Sequence, residues 1–567
     1  MFNKHFYRFQ PLEAGNLLPL IFRIGLFLLL VLVSSNCFAQ QSGTIPTSVN
    51  EAVAWLRAGN NSVKFNDENQ VVEVEIEYVP MHFVIGDLQV FEHLETIKID
   101  FVDDFVDSHM SGISRLKNVK NFSIIGCDQV SSAALSVMHY LPALESLTIK
   151  ECIQIKSLES LATCINLKEL HLTQNSDFNF GEFAHLESLP ALEFVNLSGC
   201  DQLTDGELSR LARLKSLKKF SLSLSPQISD AGLDAILLAG QLEELSIEAC
   251  DSVRGGFATK LSKCPIKKLN LTGMALTDEA ITQIAKLTQL TSLTLIDSGT
   301  GHSLLAGCFN DMRDLEKLNL RRVRVSVEAL GQISSKKIEE LDLSECTTLN
   351  TEFLVELPSF ATLKLLSCSG VKNVDLDTLS LLTEKFPNLE TLDLSGARLK
   401  TPTLTALENF RSLKKLRLAN CRFLDDQAML AIAKLKSLET LDISGIWRLT
   451  DGCFEHLSTL PNLQGLRVGE NKKITGTGLV HFEDSESLDD LIFDYMPGLT
   501  PNGMSYLKNI SSLDSLAITN CPLSDEHVSE LHGLRVGNIS LLGSVEEIDW
   551  QLLESVMRSM PNTNSQH

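Results

Sequence analysis

Residues 192–205 read Leu192-Glu-Phe-Val-Asn-Leu-Ser-Gly-Cys200-Asp-Gln-Leu-Thr-Asp205, and the same pattern returns along almost the whole chain. Apolar residues occupy its first, fourth and sixth positions, and a cysteine occupies its ninth. We place twenty such units, at steps of 22 to 29 residues. Their first positions are Val71, Leu94, Val119, Leu144, Leu167, Leu192, Leu217, Leu242, Ile266, Leu290, Leu315, Ile338, Phe360, Leu389, Leu413, Leu438, Leu463, Leu488, Leu513 and Val536. A period held this long indicates stacked repeats rather than several globular domains.

Each unit predicts a strand, a turn and a helix. Alternating apolar residues form a short strand with one buried face. The turn often reads Leu-Thr-Asp or Leu-Ser-Asp, as at 203–205 and 228–230, and such side chains accept hydrogen bonds from the first amides of a helix. We therefore predict an α/β fold, a right-handed leucine-rich repeat solenoid of horseshoe shape with about 20 repeats, a parallel concave sheet and outer helices.

The first 39 residues differ in character from the rest. A basic segment precedes the apolar run 24–33, and small residues at 34–39 follow it. This order predicts a secretory signal peptide over 1–39, cleaved after Ala39. An uncleaved anchor is an alternative, because the basic segment is long, and lipid attachment at Cys37 is another. We therefore expect an extracytoplasmic protein, which would be periplasmic, in the cell envelope or secreted.

The remaining chain divides into an N-terminal cap, the repeats, and a C-terminal cap helix with a tail, at residues 40–70, 71–544 and 545–567. We expect Ile548, Leu552 and Val556 to form the buried face of the closing helix, and a loose tail to begin at Pro561. Both caps are needed because a stack of coils leaves an apolar face open at each end.

The chain is strongly acidic. Its formal net charge is −23, and removal of residues 1–39 would make it −25. A charge of this sign argues against nucleic acid and acidic membrane surfaces as partners, and permits a basic partner. Outside the signal segment, no apolar run is long enough to span a membrane.

The cysteines follow the repeat. Eight of the thirteen are placed at the ninth position, namely Cys127, Cys152, Cys200, Cys250, Cys346, Cys368, Cys421 and Cys521. Asn175 and Asn471 take the same position, which predicts an inward side chain that meets the backbone of a neighbouring coil. We expect buried free thiols, with a disulfide between neighbours such as Cys127 and Cys152 as the alternative. Neither Cys-x-x-Cys pairs nor zinc-type Cys/His spacing occurs, so we expect no metal.

The sequence carries none of the motifs of nucleophilic, metal-dependent or phosphate-binding catalysis. We therefore expect neither an enzyme nor a cofactor. His171 is the histidine that we expect on the exposed side of the sheet, and a polar surface role is its simpler interpretation.

The residue after the second apolar position should point to solvent from each strand. Along the chain this residue is first mostly neutral and polar, and later alternates in sign: Asp342, Lys364, Asp393, Arg417, Asp442, Arg467. Either these charges compensate one another sideways, or they form a strip that binds a partner. The strip candidates are Asp393, Arg417, Asp442 and Arg467, with a second basic group around Lys317 and Arg321.

The units that include Cys200 and Cys421 resemble the cysteine-containing leucine-rich repeat family, known from F-box substrate receptors of ubiquitin ligases. The layout is also similar to exported bacterial leucine-rich repeat proteins, which act as interaction scaffolds. Four Asn-x-Ser/Thr sequences on strands, where glycans would crowd the sheet, favour a bacterial source. These resemblances imply a protein ligand of unknown identity, and the alternatives are a ubiquitin-ligase receptor and a structural envelope spacer.

Overall fold

The structure is a computed structural model that describes residues 48–566, apart from residues 60, 81, 176, 177, 179, 299–306, 349, 373, 544–547 and 560–563. The predicted signal peptide, with Cys37, lies outside the described residues. The chain forms two compact units, Met1–Ala191 and Leu192–His567. Each unit is a stack of coils built from the repeats of the sequence.

The first unit opens with helix α1 at Val49–Ala58, and its strands are β1 Ser62–Phe65, β2 Val71–Ile76, β3 Thr96–Asp100, β4 Asn121–Ile125, β5 Ser146–Lys150 and β6 Glu169–Thr173. Strand β1 pairs antiparallel with β2, and β2 to β6 pair in parallel in chain order. The segments opposite the strands are 3₁₀ turns rather than α-helices, at Ile85–Val90, Asp107–Met110, Ile113–Arg115, Ser132–Tyr140, Glu159–Thr163 and Phe180–Ser188.

The second unit carries the parallel strands β7 Phe194–Ser198, β8 Lys219–Ser223, β9 Glu244–Glu248, β10 Lys268–Thr272, β11 Ser292–Thr294, β12 Lys317–Asn319, β13 Glu340–Asp342, β14 Leu365–Ser367, β15 Thr391–Asp393, β16 Lys415–Arg417, β17 Thr440–Asp442, β18 Gly465–Gly469, β19 Asp490–Asp494, β20 Ser515–Thr519, β21 Asn538–Ser540 and β22 Asn564–Gln566. Each of these strands pairs with the next in chain order.

Its helices are short, because each has to return the chain within one coil. They are α2 Asp205–Leu211, α3 Asp230–Leu237, α4 Ala258–Leu261, α5 Asp278–Ile284, α6 Val327–Gly331, α7 Thr351–Glu356, α8 Leu376–Lys385, α9 Asp426–Ile432, α10 Gly452–Leu457, α11 Pro501–Ser505, α12 Asp525–Ser529 and α13 Trp550–Ser559. Further 3₁₀ turns lie at Thr401–Asn409, Thr477–Phe482 and Tyr506–Asn509. The described residues thus form a leucine-rich repeat solenoid, which confirms the fold class predicted from the sequence.

The strand register corrects one unit. Leu366, not Leu363, pairs with Leu341 and Leu392, which hold the fourth position of their units. That unit therefore begins at Leu363 rather than Phe360, and the steps between units narrow to 23 to 26 residues. Cys368 moves from the ninth position to the sixth. Ser367 replaces Lys364 as the outward residue of strand β14.

The first, fourth, sixth and ninth positions form the core of each coil. In the unit that begins at Leu413, the residues Leu413, Leu416, Leu418 and Cys421 are all at most 1% exposed. Burying one such side chain contributes about 1.5–3 kcal/mol, and the cover comes largely from adjacent coils. Stability therefore depends on stacking.

The ninth position ties each coil to the one before it. The Cys421 thiol donates to the carbonyl of Leu394, the sixth residue of the preceding coil, over 3.2 Å. Asn175 Nδ2 donates to the equivalent carbonyl of Ile149 over 2.9 Å, and Asn471 Nδ2 to that of Ile443 over 3.1 Å. A thiol and an amide thus perform the same structural task, as the sequence pattern predicts.

The cysteines of the described residues are all free thiols, which confirms the prediction of free thiols over the alternative of a disulfide between Cys127 and Cys152. Burial raises the pKa of Cys152 and of Cys421 to about 12. These thiols are therefore protonated at neutral pH and poorly nucleophilic.

The aspartates of the turns connect coils rather than cap their own helices. Asp426 accepts hydrogen bonds from Thr450 N at 2.9 Å and Thr450 Oγ1 at 2.6 Å, 24 residues ahead. Asp205 binds Ser229 in the same way. The serine or threonine that is held so can then cap a helix, as Ser229 Oγ does by accepting from Ala231 N. The turn aspartate therefore holds the following coil through hydrogen bonds, and we call this contact the clasp.

Glutamate and lysine alternate at the second position in two runs of coils, from Glu95 to Lys267 and from Glu339 to Glu439. The resulting ion pairs are Glu95–Lys120, Glu145–Lys168, Glu193–Lys218, Glu243–Lys267, Glu339–Lys364 and Glu390–Lys414, with N–O distances of 2.6 to 3.4 Å. Each exposed pair contributes only about 0–1 kcal/mol. Each lysine in these pairs is therefore neutralised by a glutamate of the preceding coil.

At the C-terminal end, two expectations are wrong. Leu553, not Leu552, is the buried leucine of α13, together with Val556. Residues 564–566, predicted to lie in a loose tail, form strand β22 and pair with β21. Among the described residues, no helix has the length and apolar character required to cross a bilayer.

Candidate interaction surfaces

The exposed side of the strands, here called the sheet face, carries one outward residue per coil at the fifth position. Asp393, Arg417, Asp442 and Arg467 lie in direct register on strands β15 to β18. Neighbouring strands are about 4.8 Å apart, so these four side chains span roughly 14 Å. The structure therefore brings the four predicted strip residues together in one line.

The two aspartates of this line have a local structural role. Asp393 Oδ1 accepts a hydrogen bond from Ser395 N at 2.9 Å, and Asp442 Oδ1 accepts one from Ser444 N at 2.9 Å. An aspartate that binds the amide two residues on stabilises a turn. These carboxylates thus shape the end of their three-residue strands.

The two arginines remain open to solvent. The Arg417 side chain is 61% exposed and lies 3.8 Å from Asp393 Oδ2. The Arg467 side chain is 49% exposed and lies 3.3 Å from Asp494 Oδ2 on the following strand, rather than beside Asp442. Ion pairs this exposed contribute about 0–1 kcal/mol, so either guanidinium can turn toward a partner at small cost.

The second predicted group is more strongly compensated. Lys317 Nζ lies 2.6 Å from Glu340 Oε1, and Arg321 Nη2 lies 2.5 Å from Glu345 Oε1. Arg322 binds the other oxygen of Glu345 at 2.7 Å. Hydrogen bonds from Arg322 and Arg321 lower the pKa of Glu345 below its ordinary value. Glu345 is thus held by two guanidinium groups, and the group is an ion-pair cluster as much as a free basic surface.

The sheet face also contains a depression that we did not predict. It has a volume of about 290 Å³ and lies over strands β7 to β11. Phe194 borders it, and Ser221, Ser246 and Asn270 are among its lining residues. The sequence already has small neutral residues at the fifth position of these coils, and this pattern could have indicated the depression.

The remaining candidate residues do not come together in a common site. His171 lies on strand β6, with Nε2 3.7 Å from Glu169 Oε2. Within the part of the chain that the structure describes, no cluster of three or more His, Cys, Asp or Glu side chains has the geometry to hold a metal ion.

The fold and these surfaces define a leucine-rich repeat solenoid. No protein-family model matches the sequence. Among solved structures, the chain is similar to an internalin (inlF) from Listeria monocytogenes, with 16% identity over 72% of this chain and 92% of that chain, and a TM-score of 0.33. It is also similar to TLR13 in complex with ssRNA13, with 16% identity, 84% and 80% coverage, and a TM-score of 0.46. For the plant peptide hormone receptor RGFR1 in complex with RGF2, these values are 13%, 89%, 99% and 0.34. At such identities the likeness concerns the repeat fold alone.

Proposed function

We propose that this chain is a non-enzymatic scaffold, exported from the cytoplasm, that binds a protein partner on its sheet face. The observation that carries the proposal is the register of Asp393, Arg417, Asp442 and Arg467 on adjacent strands. A rigid parallel sheet holds these charges at fixed spacing, so a partner meets a preformed pattern with little ordering cost.

Within this pattern the arginines are the contact residues. Arginine is enriched among the residues that dominate binding energy, because its planar group forms several directed hydrogen bonds. The carboxylates of Asp393 and Asp442 already bind backbone amides, so their contribution is to hold the ends of β15 and β17, the strands next to those that present Arg417 and Arg467. Lys317 and Arg321 extend the surface toward the depression, but their ion pairs would have to be exchanged for contacts with the partner.

The binding proposal is tested by affinity capture with the mature chain, followed by titration of each captured protein in purified form. The variant Arg417→Glu/Arg467→Glu should lose the partner. The matched control is Arg411→Glu/Arg535→Glu, which changes two exposed arginines in the loops before β16 and β21 by the same charge. Equal binding by the wild type and the sheet-face variant would remove the proposed site.

Export is tested separately. Fractionation of expressing cells, with N-terminal sequencing of the product, should find the chain outside the cytoplasm and beginning at Gln40. Full-length protein retained in the cytosol would contradict export and would favour an intracellular role. A purely structural spacer would show no partner that depends on Arg417 and Arg467.

A further inference from the structure

Four cations and a tryptophan occupy the tenth position of five consecutive coils, at the turn just beyond the strands. This turn row consists of Lys372, Arg398, Arg422, Trp447 and Lys472, and all five side chains are exposed. Among the earlier coils of the same unit, Arg324 is the single cation at this position, and the other coils carry Asp201, Pro226, Asp251, Ala275, Gly299 and Thr347. The positive block is thus confined to one part of an acidic protein.

The cations of the turn row differ from most other lysines of the repeats. At the second position, lysines such as Lys364 and Lys414 lie 3.0 and 3.4 Å from a glutamate of the adjacent coil. Within the part of the chain that the structure describes, Lys372, Arg398 and Lys472 form no ion pair. Their charge is therefore available to a ligand.

The nearby carboxylates are engaged elsewhere. Asp426 holds Thr450, and Asp451 accepts hydrogen bonds from Thr475 N, Thr475 Oγ1, Gly476 N and Gly478 N at 2.7 to 3.1 Å. In the five coils of the turn row, the eighth position holds Gly370, Gly396, Asn420, Gly445 and Glu470. Glu470 is thus the single acid at that position, at one end of the row. The other four residues of that position are uncharged, and the residues that follow Trp447 and Lys472 in sequence are exposed cations, Arg448 and Lys473.

An aromatic group lies within the row in a fixed orientation. Trp447 Nε1 donates a hydrogen bond to the Arg422 carbonyl at 3.1 Å, and the Arg422 guanidinium lies 5.7 Å from the indole ring. Trp447 is nevertheless 56% exposed, and Phe423 beside it is 47% exposed. Tryptophan and arginine together are the residues most often found at the energetic centre of an interface.

We propose that the turn row binds an extended acidic polypeptide segment. Four steps at the strand spacing of about 4.8 Å span roughly 19 Å, which is the length of about six extended residues. Arginine forks bind carboxylates in pairs of hydrogen bonds, and Trp447 supplies an apolar contact between them. A single-stranded nucleic acid fits less well, because its bases use a succession of stacking platforms, and Trp447 is the one aromatic among the five residues of the row.

This surface is separate from the sheet-face strip, so it does not rest on the function proposed above. Its test uses the full mature chain and a fluorescein-labelled oligoglutamate peptide long enough to span the row. Fluorescence anisotropy at low salt should show saturable binding, which weakens as salt is added because exposed charges are screened. A neutral serine–glycine peptide of the same length should not bind.

Two charge-reversal variants locate the site. Arg398→Glu/Arg422→Glu/Lys472→Glu should weaken peptide binding on the order of tenfold or more. Lys364→Glu/Lys414→Glu/Lys434→Glu carries the same change in net charge, at cations that are ion-paired, and should alter binding less than about twofold. Circular dichroism of both variants confirms that they are folded.

The fluorescence of Trp447 reports binding independently of changes in net charge. The chain has three tryptophans, so Trp55→Phe/Trp550→Phe leaves Trp447 as the sole reporter. Its emission should shift as the peptide is added, and Trp447→Ala should weaken binding in the otherwise wild-type chain. The proposal is overturned if the peptide does not bind, if the control variant weakens binding equally, if Trp447 emission is unchanged at saturation, or if single-stranded DNA of equal charge binds more tightly.

Discussion

Replacing Asp451 by alanine should weaken the contact between two adjacent coils. The Asp451 carboxylate lies in the coil that begins at Leu438 and accepts four hydrogen bonds from the coil that begins at Leu463. Three of the four donors are backbone amides, those of Thr475, Gly476 and Gly478. Alanine offers no acceptor, so these amides would need water or would remain unsatisfied.

The magnitude follows from the number and exposure of these bonds. A hydrogen bond to a charged group contributes about 1.5–3 kcal/mol net, but bonds that share one carboxylate are not additive, and the donors are only partly buried. We therefore expect a loss of about 3 kcal/mol in the free energy of unfolding, which is more than a hundredfold in the equilibrium constant. Asp451→Asn keeps one acceptor oxygen and should lose less.

Urea unfolding followed by circular dichroism measures this loss, and hydrogen exchange with mass spectrometry localises it. Exchange should accelerate in peptides that cover 474–480, while distant coils such as those around strand β9 keep their protection, because a solenoid transmits stability mainly between neighbours. Asp484→Ala removes an exposed carboxylate from the loop before β19 and serves as the control. A loss below about 0.5 kcal/mol for Asp451→Ala, with unchanged exchange, would refute the clasp as a source of stability.

Three further outcomes are expected. Gly503→Ala should cost about 1–3 kcal/mol in urea unfolding, because the added Cβ would overlap the backbone oxygen of Thr475. Cys421 should resist iodoacetamide at pH 8 in the native chain and react after denaturation, since burial raises its pKa to about 12; rapid native labelling by mass spectrometry would contradict this. Arg417→Glu/Arg467→Glu should abolish sheet-face binding with a change below about 1 kcal/mol in stability, because the ion pairs lost are exposed; a large drop in stability would show a structural role instead.

The buried positions were predictable because burial repeats with the period of the sequence. The one misplaced unit shows the limit of that signal. Phe360, Leu363, Leu365 and Cys368 reproduce the spacing of the first, fourth, sixth and ninth positions, so the pattern alone fits two registers. Pairing of Leu366 with Leu341 and Leu392 selects between them.

Contacts between coils were harder to predict from the sequence, because they join residues that lie about 25 positions apart in adjacent coils. The turn aspartates were expected to cap their own helices, whereas Asp426 reaches the threonine of the following coil. The turn row could have been read from the sequence with the correct register, which places Lys372 at the tenth position. The chemical role of Asp393 and Asp442 required atomic positions, since their sequence neighbours do not reveal which amide they bind.

The alternation of glutamate and lysine at the second position has a consequence for how this chain can change in length. Excising the single coil that carries Lys364 would bring Glu339 beside Glu390, so two like charges would face each other. Excising that coil together with the one that carries Glu390 would instead place Glu339 beside Lys414 and restore attraction. Over this run of coils, removal of an even number of coils therefore preserves the alternation of charge, whereas removal of an odd number breaks it.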